Sequence, residues 1–376
     1  MKNIAILGSS GSIGKQTLNV IRRYKDRFRI TALCVNSDID TLSAQAREFS
    51  PCVLGVCDDT AYSKAKSMFP HEKLIGGKSA LEEIASLSDI DILVVAVVGM
   101  CGLRAVMAAL KCGTTVALAN KESLVAGGKL VKEAARKTRA KILPVDSEHS
   151  AVWQCLNSGR KRDLKRIVLT ASGGPFYGKD SDFLKSVAPE TAVKHPTWKM
   201  GKKISVDSAT MMNKALEIIE AHYLFDTDNI DYVIHPQSII HSMVEFVDGS
   251  IVAQLASPNM ELPIQAALSY PERLPMESAL FNFDKNLTFA PPDEKNFPLP
   301  KLARTVMKTG GNLPCVFSAA NEAAVSLFLN NKIGFNDISI IVGEAVEKAD
   351  IVKRPTLDDL YESYNVTVEK LMRDYN

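Results

Sequence analysis

A glycine-rich turn near the start of the chain constrains the fold more than any other feature. The apolar run of residues 2–7 is followed by Gly8, Gly11 and Gly14, and an amphipathic segment over residues 16–24 comes next. Glycines placed in this way let the backbone approach a pyrophosphate at the N-terminus of a helix. The turn is a variant of the dinucleotide-binding fingerprint within a β–α–β unit, and a tight turn without a ligand is the alternative.

Apolar runs and helical patterns alternate through the first third of the chain. Further runs span residues 29–35, 53–56, 92–98, 115–118 and 141–144, with helical patterns such as residues 39–49 and 102–111 between them. This order predicts an α/β fold with a parallel sheet covered by helices on both faces. The continuous apolar stretch at residues 92–98 is typical of a strand that is buried on both faces.

The pattern changes to α+β from about residue 150. Residues 209–222 have helical spacing with Asp207 as a candidate N-cap, and an Asp-Gly pair between two extended runs predicts a β-hairpin. Residues 271–300 hold six of the seventeen prolines, which predicts a linker, and the chain beyond has helical patterns. The predicted divisions are a dinucleotide-binding domain at 1–149, a catalytic domain at 150–270, a linker at 271–300 and a helical domain at 301–376.

The charge balance restricts the classes of partner. The 376 residues include 45 Lys and Arg and 43 Asp and Glu, for a net charge of +2, so we expect no nucleic-acid partner. The longest apolar stretch, residues 92–103, is too short for a membrane helix, so we expect no membrane partner. Seven scattered cysteines without a CxxC pair, and an N-terminus without a signal-peptide pattern, favour reduced thiols and a cytoplasmic location.

Two groups of polar residues predict a cation site. Asp146 and Glu148 follow a predicted strand, where alternate side chains point the same way. Asn213, Lys214 and Glu217 share one face of a predicted helix. Carboxylates without a Cys/His cluster suit Mg²⁺ or Mn²⁺. A solvated strand end, a helix cap and a solvated helix face are the alternatives.

Other residues suggest sites for phosphate groups. Ser172, Ser208, Asn213 and Lys214 combine one cation with neutral donors, which matches the charge of a phosphate. The second predicted strand ends in Asn36-Ser37-Asp38. An acidic residue at that place favours NAD, because a carboxylate repels the 2′-phosphate of NADP.

Taken together, these motifs resemble the 1-deoxy-D-xylulose 5-phosphate reductoisomerase family over nearly the whole chain. The motifs lie at residues 8–14, 119–123, 144–151, 170–176, 195–201, 206–217 and 235–238. The resemblance implies an oxidoreductase that uses NADPH and a divalent cation to convert 1-deoxy-D-xylulose 5-phosphate, a phosphorylated ketose, into 2-C-methyl-D-erythritol 4-phosphate in isoprenoid biosynthesis. It also implies a Rossmann-like N-terminal domain, an α+β catalytic domain and a C-terminal helical bundle.

The resemblance assigns roles to individual residues. The implied metal ligands are Asp146, Glu148 and Glu217, which form the catalytic set together with Lys121. The implied substrate contacts are Lys121, Ser147, Glu148, Ser172, His195, Ser208, Asn213, Lys214 and Glu217. The implied cofactor contacts are Ser10, Gly11, Ser12, Ile13, Asn36, Ser37, Asn120, Glu122 and Gly201. Trp198 falls in the segment that the family uses as a lid.

One departure and two alternatives accompany this prediction. The family commonly has Gly-Lys/Arg-Asn where this chain has Asn36-Ser37-Asp38, and we still predict NADPH because the other motifs match. The alternatives are a simple NAD(P)-dependent dehydrogenase of a polyol phosphate and a regulator that senses NADP(H). The apolar hairpin strands predict a homodimer formed through that sheet. His235 and His241, at or near these strands, are predicted to be structural or interface residues rather than ligands.

Overall fold

The computed structural model describes residues 1–194, 198, 200–276 and 286–375. By its own contacts the chain divides into two compact units. The first consists of Met1–Ser123, Lys129–Ser150 and Asn259–Met276. The second consists of Leu124–Gly128, Ala151–Pro258 and the described part of Glu277–Asn376.

The first unit is built on a parallel sheet of seven strands. The strands are β1 (Lys2–Leu7), β2 (Phe28–Val35), β3 (Val53–Val56), β4 (Lys73–Gly76), β5 (Ile92–Val95), β6 (Thr115–Leu118) and β7 (Ile142–Pro144). Their order across the sheet is β4-β3-β2-β1-β5-β6-β7. The chain order reverses between β1 and β5, and ligands of such sheets bind at the carboxyl ends of the strands beside this point. The predicted parallel α/β sheet is confirmed.

Helices connect these strands. They are α1 (Ser12–Arg23), α2 (Ile39–Phe49), α3 (Asp59–Met68), α4 (Ala80–Ala85), α5 (Gly102–Lys111) and α6 (Lys121–Thr138), and α7 (Ser147–Cys155) begins after β7. The backbone N–H of Ala61 donates to the Asp58 carboxylate at 2.8 Å, which caps α3. Each strand is followed by a helix that begins at the edge of the sheet where ligands bind.

A helix from much later in the chain completes the first unit. This helix, α12 (Glu261–Ser269), packs on α1, where Arg23 forms an ion pair with Glu261. The Lys2 ammonium donates to the carbonyls of Leu268 and Tyr270 at 2.9 and 3.0 Å. Residues 259–276 thus pack with the first unit, whereas the sequence pattern predicted that they are divided between the catalytic domain and the linker. Helical spacing locates a helix but does not say which core it covers.

The second unit contains a mixed sheet of four strands. The strands are β8 (Leu164–Ala171), β9 (Ile230–Ile234), β10 (Ile240–Phe246) and β11 (Ile251–Leu255), in the order β11-β10-β8-β9. Strand β8 runs parallel to β9 and antiparallel to β10. Strands β10 and β11 pair antiparallel, which confirms the predicted hairpin.

Two groups of helices surround this second sheet. The first group is α8 (Ser181–Lys185), α9 (Pro189–Ala192), α10 (Lys202–Ala209) and α11 (Met212–Phe225). The second is α13 (Leu299–Thr309), α14 (Leu313–Leu329), α15 (Phe335–Glu347) and α16 (Leu357–Tyr375). The second group shares one hydrophobic core with the sheet, in which Phe317 of α14 belongs to the same cluster as Ile167 of β8. These contacts group the C-terminal helices with the α+β region, where the sequence suggested a separate domain.

The structure corrects one helix. A helix over residues 209–222 capped by Asp207 was predicted, but Asp207 lies inside α10, and α11 begins at Met212. Met211 separates the two helices. Its backbone φ is 61°, a left-handed conformation that residues other than glycine adopt infrequently. Among the described residues, no helix combines the length and apolar character needed to cross a membrane.

Candidate active site

The glycine-rich turn lies at the carboxyl end of β1. Gly8 has φ +86°, and a Cβ atom on Gly8 would lie 2.5 Å from the Ala96 carbonyl oxygen. A Cβ atom on Gly14 would lie 2.3 Å from the Gly8 carbonyl oxygen, although the φ of Gly14 is not left-handed. The backbone N–H of Gly8 donates to the Cys34 carbonyl at 2.8 Å, which fastens the turn to the end of β2. Both glycines are needed because backbone atoms fill the space of a side chain.

This turn leads into the N-terminus of α1. The predicted cofactor residues Ser10, Gly11, Ser12 and Ile13 lie at the start of this helix. Gly11 is the N-cap and makes no side-chain hydrogen bond to the N–H groups of the first turn. The first N–H groups of a helix have no partner within the helix and carry its positive dipole. The geometry suits a pyrophosphate, which accepts such hydrogen bonds.

The end of β2 carries the residues expected to distinguish the two dinucleotides. Asn36 and Ser37 are exposed. The Asp38 carboxylate accepts a hydrogen bond from the Thr41 backbone N–H at 3.1 Å and so caps α2. Hydrogen bonds from Thr41 hold the pKa of Asp38 below its usual value. Because this carboxylate caps a helix, Asp38 no longer supports the preference for NAD drawn from its position in the sequence.

Asn120 and Glu122 form a buried network where β6 leads into α6. The Asn120 amide donates to the Gly99 carbonyl at 3.0 Å and to the Glu122 carboxylate at 2.9 Å. The Ser123 hydroxyl donates to the Asn120 side-chain oxygen. These hydrogen bonds join the loop after β5 to the start of α6, so both predicted cofactor residues lie at the edge of the sheet that carries the glycine turn.

The first acidic group follows β7. Lys121, at the start of α6, forms an ion pair with the Asp146 carboxylate. The backbone N–H groups of Glu148 and His149 both donate to Oδ1 of Asp146 at 3.0 Å. Asp146 therefore caps α7, and Glu148 lies in the first turn of that helix. The prediction that the two carboxylates alternate along a strand was wrong, because the strand ends at Pro144.

The surroundings of Asp146 keep its carboxyl group ionised. Burial acts to raise its pKa, but the charges of Lys121 and His149 outweigh burial and hold the pKa well below its usual value. Nδ1 of His149 lies 3.1 Å from Oδ1 of Asp146. No role was predicted for His149, although its position three residues after Asp146, at the start of a helix, was an available signal. The Ser147 hydroxyl donates to the Glu148 carboxylate.

The second acidic group lies in the other unit, on α11. The Glu217 side chain is fully buried, with 0% exposure. Asn213 donates to Oε1 of Glu217 at 2.5 Å, and Lys214 forms an ion pair with Oε2. The predicted shared face is thus present and buried. A buried carboxylate needs such partners because desolvation of a charge is costly.

The segments that carry the predicted phosphate residues meet in the second unit. The backbone N–H of Gly174 donates to the Ser172 hydroxyl at 3.2 Å, and a Cβ atom on Gly174 would lie 2.6 Å from the Ser208 carbonyl oxygen. The Met211 N–H donates to the same Ser208 carbonyl at 3.2 Å. The loop after β8 therefore meets the turn between α10 and α11, and Asn213 and Lys214 follow in the first turn of α11.

The remaining predicted residues have varied settings. Gly201 is exposed and is the N-cap of α10. Trp198 is half-buried, and the centre of its indole ring lies 6.4 Å from that of His241. His195 lies outside the described residues. The His235 ring accepts from the backbone N–H groups of residues 239 and 240, both at 3.1 Å, as expected of a histidine whose hydrogen bonds are satisfied locally.

Comparison with known proteins places the whole chain in one family. Residues 4–128 match the family described as 1-deoxy-D-xylulose 5-phosphate reductoisomerase, and residues 142–225 match its C-terminal domain. Residues 255–369 match a second DXP reductoisomerase C-terminal domain. A reductoisomerase of Caldanaerobacter subterraneus subsp. tengcongensis is 47% identical over 381 residues, with 100% of both chains covered. One of Heliobacterium modesticaldum is 49% identical and covers 95% of this chain and 93% of its own length.

Solved structures agree with these relatives. The reductoisomerase from Zymomonas mobilis in complex with NADPH has a TM-score of 0.93 and 39% identity, covering 100% of this chain and 99% of its own. A DOX-P reductoisomerase in complex with NADPH, fosmidomycin and magnesium has the same TM-score and identity, covering 100% and 97%. From these full-length matches we conclude that the chain belongs to the 1-deoxy-D-xylulose 5-phosphate reductoisomerase family.

Proposed function

We propose that this protein converts 1-deoxy-D-xylulose 5-phosphate into 2-C-methyl-D-erythritol 4-phosphate, by rearrangement of the carbon skeleton followed by reduction with NADPH. The observation that carries the proposal is the full-length family match. The hydrogen bonds described above for the acidic residues and for the predicted phosphate site support it. The activity belongs to isoprenoid biosynthesis, and we propose a cytoplasmic location for it.

The first unit fits NADPH. Backbone atoms pack so closely around Gly8 and Gly14 that only glycine leaves the turn open, and the first turn of α1 offers N–H donors to the pyrophosphate. We assign Ser10, Gly11, Ser12 and Ile13 to this contact. We also assign to the cofactor Asn36, Ser37, Asn120, Glu122 and Gly201. Bound NADPH supplies the hydride for the reduction.

The acidic residues fit a divalent cation. We propose Asp146, Glu148 and Glu217 as its ligands. All three offer carboxylate oxygens, the donor type that Mg²⁺ and Mn²⁺ prefer. The structure holds Asp146 ionised through Lys121 and His149, which is the state a cation requires. When bound, the cation supplies electrostatic stabilisation of negative charge on the substrate oxygens.

The chain's own residues bind and orient the substrate. We propose that Ser172, Ser208, Asn213 and Lys214 hold the phosphate, away from the bonds that change. Binding energy from such a remote group fixes the position of the reacting carbons and favours the rearrangement. We assign Lys121, Ser147 and His195 to further substrate contacts and Trp198 to a lid that excludes water.

The decisive test of this function is the identity of the product. We expect the purified protein to oxidise NADPH when the ketose phosphate is added, to stop when EDTA removes divalent metal, and to recover when Mg²⁺ or Mn²⁺ is restored. Nuclear magnetic resonance of the product should show a branched polyol phosphate. An unbranched product would instead identify a simple dehydrogenase, and DNA binding without turnover would identify a regulator.

The cofactor preference is testable at Ser37. We expect wild-type kcat/KM to be higher with NADPH than with NADH. Ser37→Asp should lower kcat/KM for NADPH by about tenfold with little change for NADH, because a carboxylate repels the 2′-phosphate. Ser37→Arg is the matched variant and should raise the preference for NADPH through hydrogen bonds to that phosphate. A wild-type enzyme that prefers NADH would contradict the assignment.

We propose a homodimer formed through the edge of the second sheet. Strand β11 is an edge strand, and Ile251 and Leu255 on it are 55% and 41% exposed. An apolar edge strand is a ready partner for a second strand of the same kind. Light scattering should give twice the chain mass of 41.0 kDa at micromolar concentrations. A mass of one chain across that range would exclude this interface.

A further inference from the structure

We propose that Asn321 and Asp207 form a positioning pair through which the C-terminal helices hold the turn between α10 and α11. This turn, residues 208–211, is called the phosphate-binding turn. The proposal rests on the proposed function and deepens it, because it adds a support to the site assigned to the substrate phosphate. Neither residue belongs to the predicted site, and both lie in the second unit.

The pair joins two helices that are far apart in the sequence. The Asn321 amide of α14 donates to Oδ1 of Asp207 of α10 at 2.7 Å. Asp207 is 2% exposed and Asn321 is 0% exposed. The Lys203 ammonium lies 3.0 Å from the other oxygen, Oδ2 of Asp207. The carboxylate is therefore fixed from both sides, by a cation on its own helix and by an amide from another.

The pair is connected directly to the phosphate-binding turn. Asp207 immediately precedes Ser208. The Ser208 carbonyl oxygen accepts a hydrogen bond from the Met211 N–H and packs closely against Gly174. Met211 has φ 61°, a conformation that is unfavourable for a side chain with a Cβ atom, so the turn needs support from outside itself. Asn321 provides that support, because it anchors the residue that enters the turn.

Loss of this donor has a specific consequence. A buried carboxylate oxygen without its hydrogen bond is costly, so Asp207 would turn toward Lys203 or solvent. The last turn of α10 would move with it, and Ser208 would leave its place beside Gly174. The effect should fall on phosphate binding, while the dinucleotide turn belongs to the other unit and keeps its structure.

The test is Asn321→Leu, which keeps a similar side-chain volume and removes the amide. We expect KM for the ketose phosphate to rise by about tenfold, as for the loss of one hydrogen bond to a charged group. The competitive Ki of inorganic phosphate should rise by a similar factor. The change in kcat should be smaller than the change in KM, and the Kd of NADPH should stay the same. If this variant does not fold, Asn321→Ala, which also removes the donating amide, is measured in the same way and should show the same split.

The matched control is Leu327→Ala, six residues further along α14. Leu327 is 1% exposed, so its truncation should lower Tm, yet it projects about 120° around the helix from Asn321. We expect KM and the phosphate Ki to be unchanged in this control. Equal increases in both variants would show a general loss of stability and overturn the pair's role. Unchanged KM and Ki in Asn321→Leu would also overturn it, whereas a wild-type protein without turnover would refute the proposed function itself.

Discussion

Replacement of Glu217 by Gln is expected to lower kcat/KM for the ketose phosphate by about 10³-fold, the loss that several kcal/mol of electrostatic stabilisation corresponds to. The Glu217 carboxylate is buried on α11. It accepts a hydrogen bond from Asn213 and forms an ion pair with Lys214. Glutamine keeps the shape but removes the negative charge that we propose binds a cation. It also removes the Glu217 charge that pairs with the Lys214 ammonium, which weakens the site further.

The measurements for Glu217→Gln separate metal binding from folding. The concentration of Mg²⁺ or Mn²⁺ that gives half-maximal rate should rise, while the Kd of NADPH should match that of the wild type. Asp228→Asn is the matched control, because it removes a carboxylate that pairs with His222 of the same helix at 2.6 Å. That control should keep its turnover. Near-normal turnover in Glu217→Gln would remove Glu217 from the catalytic set.

Gly14→Ala is expected to weaken NADPH binding by about 100-fold, the upper part of the usual cost of overpacking. The new Cβ atom would lie 2.3 Å from the Gly8 carbonyl oxygen and 2.6 Å from the Cα of Ser9. Both are backbone atoms, so no side-chain rotation relieves the clash. Relief requires the turn to open, and an open turn no longer presents the N-terminus of α1 to the pyrophosphate. Fluorescence titration with NADPH measures the loss.

Gly343→Ala is the control for the effect of a glycine replacement on a helix. A Cβ atom on Gly343 of α15 would meet nothing within 4 Å. Alanine there should raise the free energy of unfolding by about 0.5–1 kcal/mol, since glycine loses more backbone entropy on folding. NADPH affinity should not change. If Gly14→Ala bound NADPH as tightly as Gly343→Ala does, the turn would not be the pyrophosphate site.

Elements with a strong local pattern could be predicted from the sequence. The strands of the first unit are continuous apolar runs because both faces of the sheet are covered, and such runs are visible without any structure. The hairpin of β10 and β11 is specified by Asp248 and Gly249, because this pair favours the tight turn between extended segments. The glycine turn was visible for the same reason, since its backbone geometry depends on residue type.

Other features depend on contacts distant in the sequence and carried no local signal. The break at Met211 has neither glycine nor proline to mark it, and the packing of α14 on α10 supports it instead. The role of Asp146 as a helix cap was misread because a strand end and a helix start look alike when only two residues separate them. The relation of α12 to the first unit depends on Lys2 and Arg23, which lie more than 230 residues away.

The return of residues 259–276 to the first unit has a consequence for how the protein is made. A ribosome that has released residue 150 has supplied all seven parallel strands, yet α1 still lacks the helix that covers it. A further 126 residues separate position 150 from position 276, which takes about 6–25 s at ordinary rates of synthesis. During that interval the nascent first unit exposes an apolar surface that only a later part of the same polypeptide can cover. The first unit therefore completes its folding after much of the second unit has been synthesised.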